Sequence, residues 1–82
     1  MKLLITKKAK KELDRLPGPV AKNISEKLLF LPKNPFPANS KKLSGQNNYR
    51  IRIGSFRVIY SISPRSKTIT ILRVADRKTI YR

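Results

Sequence analysis

The stretch that decides the fold is Tyr49-Arg50-Ile51-Arg52-Ile53-Gly54-Ser55-Phe56-Arg57-Val58-Ile59-Tyr60. Two alternating runs meet at Gly54-Ser55, a pair suited to the two-residue type II′ turn, whose first position needs a positive φ. With those residues as the loop the register follows: Ile53 opposite Phe56, Arg52 opposite Arg57, Ile51 opposite Val58, Arg50 opposite Ile59, and Tyr49 opposite Tyr60. Side chains alternate between the faces of a sheet, so Tyr49, Ile51, Ile53, Phe56, Val58 and Tyr60 form a core face. Arg50, Arg52 and Arg57 share the other face with Ile59 and are expected to be exposed there. Like charges directly across a strand pair are destabilising, on the scale of the ~0.2–1 kcal/mol that a favourable pair contributes. Guanidinium geometry matches phosphate, so the patch reads as a site for a polyanion.

Composition agrees. A chain of 82 residues makes one small domain, residues 1–82, that hides only about 60% of its unfolded surface. Twenty Lys and Arg against four acids leave a formal charge of +16, a self-repulsion that calls for an anionic partner, nucleic acid or an acidic protein. Cysteine is absent, which excludes disulfides and thiolate metal sites. The longest apolar run, Leu28 to Leu31, is far too short to span a bilayer, and Lys7 and Lys8 interrupt any signal-peptide core. A cytoplasmic protein without membrane association is expected.

Outward from the hairpin, Lys2 to Ile5 reads as a first strand, with Thr6 placed to cap a helix that starts at Lys7. Ala9, Leu13 and Leu16 give that helix a narrow apolar stripe, and Pro17 stops it. Gly18 and Pro19 form a corner into a second helix, in which Val20, Ile24, Leu28 and Leu31 share a face, ended by Pro32. Residues 32–48, rich in Pro and Asn, read as an irregular crossing loop, with Leu43 plugging it to the core and Lys41 and Lys42 in solvent. After the hairpin, residues 63–67 read as a turn and residues 68–74 as a last strand. The expected class is α+β: an N-terminal strand, a helical hairpin, then an antiparallel sheet of three strands.

The chain resembles the RelE/ParE superfamily of bacterial and archaeal toxins, on the RelE side more than the other. The resemblance is carried by Lys42-Leu43-Ser44-Gly45, by the hairpin from Tyr49 to Tyr60, and by Arg73-Val74, Arg77-Lys78 and Tyr81 at the end. It implies a ribosome-dependent mRNA endoribonuclease acting in the A site, neutralised by an acidic, RelB-like cognate antitoxin. It also implies that Arg50 and Arg52 are the basic residues before the turn, Arg57 the hairpin arginine, Arg77 the basic residue after the last strand and Tyr81 the tyrosine near the end. Where relatives have lysine at the positions of Arg50 and Arg52, this chain has arginine, a side chain that makes a poor base. Asp76 stands where many relatives have histidine.

The residue inventory narrows the chemistry independently. Four acids, Glu12, Asp14, Glu26 and Asp76, without His or Cys, do not make a two-metal nuclease centre, and a histidine-pair mechanism has no residues to run on. No metal and no cofactor is expected. What remains is attack by the RNA's own 2′-hydroxyl on the adjacent phosphate, assisted by orientation and charge stabilisation. Taken with the resemblance, Arg57 and Arg77 are assigned to the phosphate, Arg50 and Arg52 to positioning and activating the nucleophile, and Tyr81 to stacking or hydrogen bonding near the scissile bond. Lys41, Lys42, Arg73, Lys78 and Arg82 are assigned to general RNA contacts. Two other classes stay open: a ParE-like inhibitor of DNA gyrase, and a non-catalytic basic RNA-binding protein.

Overall fold

The computed structural model describes residues 1–43 and 48–76. It places Gly54-Ser55 at the tip of a hairpin between β3 (Asn48–Ile53) and β4 (Phe56–Ser63). Every pairing of the expected register is present, from Ile53 opposite Phe56 to Tyr49 opposite Tyr60. Gly54 has φ of 61° and Ser55 is not left-handed, the combination a type II′ turn requires. The chain leaves β4 through residues 64–67, with Lys67 at φ 51°, and enters β5 (Thr68–Asp76), two residues longer than the sequence indicates.

Among the described residues the sheet holds five strands in the order β1-β5-β4-β3-β2, not three. One addition is β1 (Lys2–Ile5), which runs parallel to β5. Parallel neighbours need a long crossover, and the two helices supply part of it. The other is β2 (Ser40–Lys42), antiparallel to β3, inside the segment expected to be irregular. Ser-Lys-Lys has no strand propensity; the free edge of β3 makes it a strand, and its two lysines keep the resulting outer edge from pairing further.

Helix α1 (Lys7–Asp14) begins where expected, with Ala9 N–H donating to the Thr6 hydroxyl at 3.1 Å. It ends two residues before the apolar stripe does, although Leu13 and Leu16 still pack on the core. Helix α2 (Gly18–Leu29) carries Pro19 in its first turn and buries Ile24 and Leu28, while Leu31 is buried just beyond its end. These residues lie against Ile51, Ile53, Val58, Tyr60, Ile62, Ile69, Ile71 and Val74. The helices therefore cover one face of the sheet and leave the other to the arginines.

A register shift between Ile59 and Tyr60 reorganises β5. Leu72 is the extra residue, because Arg73 pairs with Ile59 and Ile71 with Tyr60. The shift returns Val74 to the core and puts Ala75 beside Arg57. Since β1 pairs only as far as Ile71, the edge of β5 beyond it is taken over by α1. Thr6 N–H donates to the Ile71 carbonyl at 3.0 Å, and Val74 N–H donates to Glu12 at 2.9 Å.

The loop before β2 is anchored from the sheet. The Tyr60 hydroxyl donates to the Pro35 carbonyl at 2.8 Å, Phe36 meets Tyr49 edge-on at 5.2 Å, and Tyr49 stacks on Tyr60 at 5.7 Å. Leu43 is half-buried and its N–H donates to the Asn48 carbonyl at 2.8 Å.

Candidate functional site

The outer face of the hairpin forms a cleft of about 250 Å³ lined by Asn39, Lys41, Arg50, Ile51, Arg52 and Arg57. Each position follows from the ladder. Arg52 lies directly across from Arg57, and Lys41 directly across from Arg50, so two cross-strand pairs of like charge face one another over β3. No acidic residue lines the cleft among the described residues. The like-charge pairing is fixed by the backbone register, and an anion bound in the cleft would lower its repulsion further.

Arg57 corrects the sequence-based expectation. It was expected on a solvated patch, but only 6% of it is exposed. The reason is topological: β4 is the central strand, with β3 and β5 on either side. Ala75, the residue opposite Arg57 on β5, is 7% exposed and leaves room for an arginine stem. Arg50 is half-buried, while Arg52 and Lys41 are exposed. One deep guanidinium with shallower cations around it suits a single phosphate on a longer anionic chain.

The period of the strand separates the two lysines of β2. Lys41 joins the cleft, whereas Lys42 pairs with Tyr49 and does not line it. Arg73 is engaged elsewhere: its Nε and Nη2 donate to the Glu12 carboxylate at 3.1 to 3.3 Å, forming an ion pair at the edge of β5. Arg77, Lys78, Tyr81 and Arg82 lie outside the described residues, as do Ser44 and Gly45 of the loop motif.

Sequence reasoning missed Asn39, whose side-chain amide donates to the Arg52 carbonyl at 2.7 Å. Nothing in residues 37–40 signals it, because it enters the cleft only when β2 docks on β3. It missed Glu12 as a structural residue too, although an acid three positions after Ala9, on the side of the helix that carries the apolar stripe, is a usable signal. Among the described residues no three His, Cys, Asp or Glu side chains gather, and no helix is long and apolar enough to cross a membrane.

Comparison with known proteins places this architecture. The model of the family described as the ParE toxin of the type II toxin-antitoxin system matches residues 3–81. Toxin RelE3 of Methanocaldococcus jannaschii is 36% identical over 89 aligned residues, covering 99% of this chain and 96% of its own. A chain of the archaeal RelE–RelB complex of Pyrococcus horikoshii superposes with a TM-score of 0.83 at 33% identity, covering 93% of both chains. One from the RelB–RelE complex of Methanococcus jannaschii gives a TM-score of 0.77 at 30% identity, covering 95% of this chain and 94% of that one. With the family model spanning nearly all of it, and RelE toxins as its relatives in both sequence and fold, this chain belongs to the RelE/ParE family of type II toxin-antitoxin toxins.

Proposed function

We propose that this toxin is a metal-independent endoribonuclease that cuts mRNA in the ribosomal A site. The observation that carries the reading is the cleft itself, which Lys41, Arg50, Arg52 and Arg57 line together and whose lining holds no acidic side chain among the described residues. In the proposed reaction the ribose 2′-oxygen attacks the adjacent phosphorus and the bond to the 5′-oxygen breaks. The products are a 2′,3′-cyclic phosphate and a 5′-hydroxyl, with no water consumed. Arg57 and Arg77 hold the phosphate and take up the charge that develops in the transition state. Arg50 and Arg52 position the nucleophile and favour its deprotonation electrostatically, and Tyr81 stacks near the scissile bond. Lys41, Lys42, Lys78 and Arg82 contribute long-range attraction to the RNA. Arg73, held by Glu12, contributes less of this than its charge implies.

The partner in this reading is an acidic cognate antitoxin, as befits a chain of charge +16 whose solved relatives include toxin chains of RelE–RelB complexes. The place of action is the cytoplasm, where ribosomes work. A second reading, ParE-like inhibition of DNA gyrase, is favoured by the description of the matching family. Expression without the antitoxin separates the two. The endonuclease reading expects new mRNA 5′ ends within translated codons on polysomes; a DNA-damage response with intact mRNA would replace it by the second.

A further inference from the structure

The polar lining of the cleft is lopsided. Lys41, Arg50, Arg52 and Arg57 have side chains that only donate hydrogen bonds, so they can hold phosphate oxygens and nothing that must itself donate. Asn39 differs. Its Nδ2 donates to the Arg52 carbonyl at 2.7 Å, and since only the nitrogen end of a carboxamide can face a carbonyl oxygen, that bond determines the orientation of the group. Oδ1 is then left without a donor among the described residues. It is the one neutral side-chain acceptor among the described residues of the cleft lining, and its amide is tied to the backbone of a cation that lines the same cleft.

We infer that Asn39 is a specificity-determining residue, whose Oδ1 accepts a hydrogen bond from the ribose 2′-hydroxyl of the nucleotide held in the cleft. The inference rests on reading that cleft as an RNA site. A strand gripped at its phosphate brings two kinds of donor: 2′-hydroxyls, two carbons from the backbone oxygen, and base amines, which point away from the backbone. Beside a ring of phosphate-binding cations, the 2′-hydroxyl is the donor within reach, and it is the group that separates RNA from DNA. The same contact orients the oxygen that the proposed reaction uses as its nucleophile.

The test is binding of short single-stranded oligonucleotides to the full chain at one salt concentration. Oligo(A) and oligo(U) are each made with 2′-hydroxyl, 2′-deoxy and 2′-O-methyl sugars, the last retaining the oxygen but having no proton to donate. The 2′-hydroxyl forms should bind about fivefold more tightly than the other two, the scale of one neutral hydrogen bond. Asn39→Ala should bring that ratio close to one for both bases by weakening RNA binding alone. An unchanged ratio in Asn39→Ala overturns the inference, as does an equal loss for RNA and DNA, which would make Asn39 a mere anchor for β2. A loss confined to oligo(A) would mean that a base amine is read instead. Wild-type protein that binds RNA and DNA equally sinks the role of Asn39 alone, whereas wild-type protein that binds none of the six sinks the reading of the cleft beneath it.

Discussion

Tyr60 is completely buried and ties the loop before β2 to the sheet through its bond to the Pro35 carbonyl at 2.8 Å. Burial pushes its phenol above the usual tyrosine range; a hydrogen bond with Ser40 opposes the shift and the nearby Tyr49 adds to it. Because the folded-state pKa lies above the unfolded one, this contribution is complete below about pH 10 and declines as pH rises toward the folded value. Tyr60→Phe should cost about 1 kcal/mol at neutral pH, one hydrogen bond, and show a shallower alkaline loss than wild type in denaturant melts above pH 10. The two proteins differ only in this hydroxyl, so the difference between their curves isolates Tyr60; parallel curves would mean that its hydroxyl is not what keeps the loop in place. Arg57 behaves differently, for two effects oppose each other there. Alanine removes a buried stem but also one member of the Arg52–Arg57 pair, so Arg57→Ala should change stability by no more than about 1 kcal/mol.

Among the elements, the end of β5 depends most on a single side chain. Glu12 accepts from Val74 N–H and from the Arg73 guanidinium where β1 no longer reaches. Glu12→Ala leaves a strand-edge amide and a half-buried cation without their acceptor, and should cost about 2 kcal/mol, the range for hydrogen bonds to charged groups. Glu12→Gln keeps an acceptor for Val74 and should cost about half as much. Urea melts showing both variants within about 0.3 kcal/mol of wild type would mean that solvent satisfies this edge as well as α1 does. Elements also differ in how far the sequence discloses them. The hairpin, the Thr6 cap and the core face could be read directly because each rests on local chemistry: a Gly-Ser turn, a hydroxyl before a helix, a period of two. The pairing of β1, the strand at Ser40–Lys42 and the Leu72 bulge could not, because each exists only where a distant strand offers an edge. Arg57 shows the same limit within the site, since alternation identifies its face but not the depth that a central strand with Ala75 beside it creates.

For the whole molecule, charge is the dominant fact. At +16, RNA binding should weaken linearly on a log-log salt plot, by about 0.7 for each phosphate contacted on a single strand. A cleft with four cations predicts a slope of about −2 to −3, and a flat response would remove the polyanion from the account. Covering that charge with an acidic partner should also raise the melting temperature, through mass action and relief of repulsion. The most direct measurement is single-turnover cleavage of mRNA on programmed ribosomes by Arg57→Ala, beside a urea melt and a ribosome-binding titration of the same variant. A buried arginine acting on the transition state predicts a rate lower by ~10²-fold or more, with ribosome affinity nearly unchanged and stability within about 1 kcal/mol of wild type. Cleavage at close to the wild-type rate by a folded, ribosome-bound variant would contradict the assignment of this cleft as the active site.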